Sequence, residues 1–357
     1  MNRYDMRDDL TRRRVFWLLQ RLTSWSLWNA KREAFKVFAN AYEAAIKTWP
    51  ANDPEAPEAD HLGAIHEILS CYNNGLAELS RGHRFVWRAN QAFKVAARRF
   101  NGLDRYFYRN PKYWEHGSQF APYPPKIDAL YQLMHASQFQ MDYAPVEVWT
   151  DDNIANLESP GSLLDPERYK HGFYALAYPT IPEVLPGVPE TPGPVIQSGQ
   201  AVPCDGIWEP VTIKRSRILD VTSTEGMLFE NDGCFNYLVA GTQAPNMSSV
   251  DDQALDITPR PTHWRLLWED SRYHDGVIPD ESEYLRGPSA GSDAPESTTI
   301  QPTRTGDPCP MSGEWFTTEY GGKTVHVAAG DPMPDLLATD SLGDRRVYWV
   351  TWQLVKR

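Results

Sequence analysis

Apolar positions in the first 140 residues recur at intervals of three and four, the spacing that collects side chains on one face of an α-helix. Phe16, Leu19 and Leu22 predict a first helix that Asp8 or Asp9 can cap. Leu27, Ala30, Phe35, Phe38, Ala41, Tyr42, Ala45 and Ile46 predict a second, with Thr23 or Ser24 at its start. Segment 50–60, dense in proline and acid, predicts a loop. A third helix is expected over 58–79, a fourth over 81–100 and a fifth over 126–140. Amphipathic helices on short connections favour an antiparallel bundle.

Past residue 145 the period changes. Residues 179–194 carry proline at a density that blocks helix interiors and central strands, so they link or wrap. Short apolar runs between turn residues follow, the pattern of strands. One motif occurs twice. Gly206-x-Trp208 recurs as Gly313-x-Trp315, and Val239-Ala240-Gly241 with Pro245 recurs as Ala328-Ala329-Gly330 with Pro334. In the closing block, Trp264-xxx-Trp268 aligns with Tyr348-xxx-Trp352. The spacing between the first two blocks is wider in the first copy, which predicts an insertion near 214–233. Four or five short strands per copy suit a small β-barrel or β-sandwich. The expected fold is therefore α+β: an N-terminal antiparallel helical bundle, then two repeated β-rich units, barrel- or sandwich-like. Its divisions are a bundle over 1–145, a proline-rich connection over 146–197, a first β unit over 198–285, a flexible linker over 286–304 and a second β unit over 305–357.

Charge sharpens the division. The 357 residues carry a net charge of −12, unevenly placed. Residues 1–150 hold 20 Lys and Arg against 16 Asp and Glu, whereas residues 151–357 hold 15 against 31. Such acidity repels phosphate backbones and argues against nucleic acid, while suiting a basic partner or solubility alone. No run approaches the length of a membrane span, and the apolar run Val15–Leu19 is too short for a secretory signal, so a cytoplasmic protein is expected. Cys71, Cys204, Cys234 and Cys309 fit no zinc spacing and read as reduced, packed thiols.

The search for chemistry returns little. Phosphate-binding glycine loops and nucleophile elbows do not occur, and the histidines are scattered or, at His61 and His66, spaced wrongly for one helix face. Nothing calls for a cofactor, metal or catalytic assembly. Two charged features stand out. Arg81, Arg84, Arg88, Arg98, Arg99, Arg105 and Arg109 form either an anion-binding face or a solvated face bridged to the acidic half. Asp275, Asp280, Glu281 and Glu283 form either a recognition loop for a basic partner or a solvated loop. The repeated tryptophans read as core, with an aromatic sugar platform as the alternative.

The stretches Cys309-Pro310-Met311-Ser312-Gly313-Glu314-Trp315, Ala329–Pro334 and Trp349–Trp352 resemble the immunity protein 71/72 type of bacterial polymorphic toxin systems. The first copy departs at Asp205, which precedes its glycine, and at Ala244, which stands in place of the Met before proline. The resemblance implies a non-enzymatic protein that binds and neutralises a cognate toxin delivered by type VI or contact-dependent secretion. It implies no catalytic residues. Two other readings stay open: a carbohydrate- or cell-wall-binding protein using exposed tryptophans, and an enzyme with a site between the helical and β halves.

Overall fold

The computed structural model describes residues 4–48, 57–104, 125–138, 153–165, 178–190, 193–215, 227–251, 256–286, 303–319, 322–339, 345–348 and 350–356. The helical part comprises α1 (Asp9–Leu22), α2 (Trp25–Thr48), α3 (His61–Leu79), α4 (Ala92–Asp104), α5 (Pro125–His135) and a single turn α6 (Gly161–Leu164). Asp8 caps α1, accepting 2.8 Å and 2.9 Å hydrogen bonds from the Thr11 amide and hydroxyl. The expected fourth helix divides into a 3-10 turn, Arg84–Trp87, and α4. Asn90 lies between them at φ 60°, a left-handed conformation that asparagine tolerates and an α-helix does not. Helix α2 packs against α3 and α5, and α3 against α4. At Gly75 an added Cβ would lie 2.4 Å from the Phe93 ring, so glycine lets these two helices approach. Trp28 stacks on Phe93 with centroids 4.1 Å apart, and Phe35 meets Phe38, Tyr72 and Phe100.

The β part begins with β1 (Val195–Gln197), β2 (Gly206–Arg215), β3 (Met227–Asn231), β4 (Asn236–Leu238), β5 (Met247–Asp251), β6 (Asp256–Arg260) and β7 (His263–Glu269). After these come β8 (Thr303–Arg304), β9 (Gly313–Thr317), β10 (Lys323–Val327), β11 (Leu336–Thr339), β12 (Arg345–Tyr348) and β13 (Thr351–Lys356). All ladders between these strands are antiparallel, and none of the sheets closes into a barrel. The first unit runs β1-β7-β2-β3 with β4 also on β2, and the second runs β8-β13-β9-β10. Each adds a two-stranded ladder, β5-β6 or β11-β12. The expected insertion is the outer half of a hairpin: β2 runs on to Arg215 and returns as β3.

Backbone bonds correspond between the units atom for atom. The Gly241 amide donates to the Val202 carbonyl at 2.7 Å, and the Gly330 amide to the Cys309 carbonyl at 2.8 Å. Both glycines have positive φ, 74° and 87°, which a tight turn demands and other residues resist. Trp208 pairs with Leu266 and Trp315 with Leu354, each beside a register shift. The Trp264 indole donates to the Pro245 carbonyl at 2.7 Å, and the Trp352 indole to the Pro334 carbonyl at 2.9 Å. That corrects the closing block: Trp352 is the counterpart of Trp264, while Tyr348 lies opposite Leu336 where Arg260 lies opposite Met247. Aromatic residues four apart had aligned by coincidence. Upstream, Val202 of the first unit holds the place of Cys309 in the second.

Three apolar clusters result. The largest joins the helices to Ile207, Cys234, Phe235, Tyr237, Val239, Leu267, Tyr273 and Tyr284, so the bundle and one face of the first β unit share a core. Trp208 and Trp264 centre the second cluster, and Trp315 and Trp352 the third. The proline-rich segment, including residues 178–190, has no regular structure there. It wraps: Leu185 is buried in the shared core, and the Thr180 amide donates to Arg286 at 2.7 Å.

Candidate partner-binding site

The strap that leaves β7, Asp270–Arg286, carries all four acidic candidates and is anchored from beneath. Asp270 and Arg84 have fully buried side chains, joined at 3.0 Å. Arg272 grips the same carboxylate in bidentate fashion, at 2.9 Å and 2.8 Å, and Tyr237 donates to it at 2.8 Å. Burial alone would raise the Asp270 pKa; the Arg272 hydrogen bonds and charge, with Arg84, outweigh burial and hold it below the carboxylate range. Arg84 and Arg272 also donate to the Thr23 carbonyl and hydroxyl, which ties the strap to the α1–α2 junction. On α1, Arg21 donates to the Tyr284 carbonyl at 2.6 Å, and burial pulls its pKa down to about 10.

The four candidates separate over this anchor. Glu281 is buried: it accepts from the Ser26 amide at 2.9 Å and from the Tyr273 hydroxyl. Tyr273 accepts from the Trp25 amide at 2.9 Å. With Ser24, which lies just before the helix and whose hydroxyl accepts from the Leu27 amide, Tyr273 and Glu281 of the strap cap α2. Glu281 is therefore an interior residue, placed there because the free amides of a helix start need acceptors and favour negative charge. Asp275, Asp280 and Glu283 are exposed. Asp280 accepts the Ser282 amide and hydroxyl, which lowers its pKa. Asp275 accepts the Val277 amide at 3.0 Å. Val277, 61% exposed, and Leu285, 45% exposed, stand among them. The strap thus presents three exposed carboxylates, two of them held by main-chain amides, beside the exposed Arg286 and two apolar side chains.

The arginine cluster does not converge on one face. Arg84 is buried against Asp270, Arg88 donates to the Ala240 carbonyl, Arg81 pairs with Glu78 at 3.1 Å, and Arg99 pairs with Glu67. Arg105 and Arg109 lie outside the described residues. A further bridge, unforeseen in the sequence, joins Arg12 on α1 to Glu209 on β2 at 2.7 Å, with Arg265 on the other carboxylate oxygen. Trp208, Trp264, Trp315 and Trp352 are all 0% exposed, which removes the sugar platform at these positions. Between the helices and the first β unit, Asp270 pairs with Arg84 and Arg272 and Glu209 with Arg12 and Arg265, and the described residues hold no group of three or more metal-ligating side chains. All four cysteines are free, and no described helix is long and apolar enough to cross a membrane.

Comparison with known proteins adds the family. The profile of immunity protein 71 matches residues 6–158, the helical part. That of immunity protein 72 matches residues 187–286, the first β unit with its strap, whereas the motif that carries the sequence resemblance lies in the second unit. No curated protein and no solved structure matches the chain. Two family profiles, meeting in one molecule across the shared core, show that the chain belongs to the immunity protein 71/72 type.

Proposed function

We propose that the protein is the antidote to an antibacterial protein toxin of a polymorphic system, acting in the cytoplasm by non-covalent binding and without turnover. The observation that carries this reading is the pair of family matches, ending at the anchored strap. The strap supports a basic partner. Its exposed carboxylates lie on a backbone tied to the bundle by the Asp270 cluster, so little ordering entropy remains to be lost on binding. A net negative surface speeds encounter with a basic partner and disfavours wrong ones. Secretion by a type VI or contact-dependent route belongs to the same reading.

The direct test is co-expression with the toxin gene beside this one. Survival of cells that carry both is the expected result; death at the rate of cells carrying the toxin alone rejects the reading. The electrostatic part has its own check. The variant Asp275→Lys, Asp280→Lys, Glu283→Lys should slow association and flatten its dependence on ionic strength, whereas a salt-independent wild-type rate would remove the strap from the account.

A further inference from the structure

The two β units build the same glycine turn on different side chains. In the first unit the Asp205 carboxylate accepts the Ala240 amide at 2.8 Å, and in the second the Ser312 hydroxyl accepts the Ala329 amide at 2.8 Å. The turns themselves match: Gly241 and Gly330 both have positive φ and donate alike to Val202 and Cys309. A hydroxyl therefore suffices to form the turn, and the charge at Asp205 answers something else. Arg88, just after the Arg84–Trp87 turn, donates to the Ala240 carbonyl. Its guanidinium fills the space where a Cβ on Gly241 would stand. At Gly330 nothing lies within 4 Å of that position, and Ser312, Ala329 and Gly330 are exposed. The carboxylate is thus present where a cation packs on the turn and absent where the space is open.

We infer that Asp205 is a positioning residue for the strap, acting through Arg88. Its side chain orients Ala240, whose carbonyl holds Arg88. Its main-chain carbonyl accepts the Asp270 amide at 2.9 Å, at the first residue of the strap. Arg84, at the other end of the same 3-10 turn, meets the Asp270 carboxylate at 3.0 Å. Between the two arginines, Trp87 is buried and its ring meets Tyr237 of β4 at 6.0 Å. The turn is therefore pinned at one end to the strap and at the other to the connection after β4, and Asp205 touches both pins. Burial raises the Asp205 pKa, while the Ala240 amide and the charges of Arg84 and Arg88 pull against it. Pairing of this kind fixes an arrangement even where it adds little stability.

The test uses the full chain. Asp205→Ser installs the residue of the second unit, which keeps an acceptor for the Ala240 amide and removes the charge. Hydrogen exchange is compared in wild type, Asp205→Ser, Arg88→Gln and the double variant. The amides of Trp25 and Ser26 report the strap, because Tyr273 and Glu281 accept from them. Those of Ile68 and Tyr72, buried on α3, report general stability. Each single variant should speed exchange at Trp25 and Ser26 by about tenfold relative to Ile68 and Tyr72, and the double variant no further. Unchanged exchange at Trp25 and Ser26 overturns the inference. So does equal acceleration at Ile68 and Tyr72, which marks a general loss of stability. Additive effects in the double variant overturn it too, because Asp205 would then not act through Arg88. No toxin enters this measurement, so its failure leaves the function proposed above untouched.

Discussion

Asp270 shows how one residue can join two parts of a molecule. Its carboxylate receives Arg84 from the helical part, Arg272 from the strap and Tyr237 from β4, all away from water. Asp270→Ala would leave two buried guanidinium groups without that anion, and a loss of about 3–5 kcal/mol in denaturant unfolding is expected. The pH dependence has a definite sign. A carboxyl whose folded pKa is depressed adds stability that is complete above its unfolded pKa, near 4, and lost as pH falls through the folded value. Wild type should therefore lose stability below about pH 4 more steeply than Asp270→Asn; equal acid slopes would contradict the pairing. Little of this was legible in the sequence, because a carboxylate's partners are set by folding. The candidates Asp275, Asp280, Glu281 and Glu283 looked alike as one acidic run, yet Glu281 turned inward. Its interleaving with Tyr273 and Tyr284, both buried, was the available sign that part of the run was anchored.

At the scale of elements, helix α2 begins under caps supplied from the strap. Glu281→Ala should cost about 0.5–2 kcal/mol, the range of lost helix caps, while Glu283→Ala, on the exposed side, should leave the melting temperature unchanged. Equal effects would mean that the strap does not support the helix. Helices α1, α2, α3 and α5 followed from apolar period and cap residues, which act locally. The 3-10 turn before α4 did not, because an Asn at positive φ interrupts a stretch whose apolar spacing reads as continuous. The β units were legible through glycine and tryptophan, since tight turns and small cores restrict those positions most. Their closing strands were misaligned because Trp268 faces the bundle, where it meets Phe16 at 6.1 Å, and has no aromatic counterpart in the second unit.

For the whole molecule, the shared core predicts which parts unfold together. Bundle and first β unit should melt as one transition, and the second unit, with its separate core, as another. Trp315→Ala, costing about 3–5 kcal/mol, should lower only the transition of the second unit in calorimetry. Movement of both transitions together would show a single cooperative core. The contrast between a weakly basic N-terminal part and an acidic remainder takes on a structural sense at this scale. Part of it is internal, in Arg12 with Glu209 and Arg84 with Asp270, and part remains on the strap for a partner. The central claim is that a protein toxin is that partner. Calorimetric titration of the purified chain with an inactivated form of the toxin encoded beside it tests this most directly. The account predicts a single 1:1 complex whose affinity falls as salt rises; absence of a complex, or a toxin released chemically altered, would contradict it.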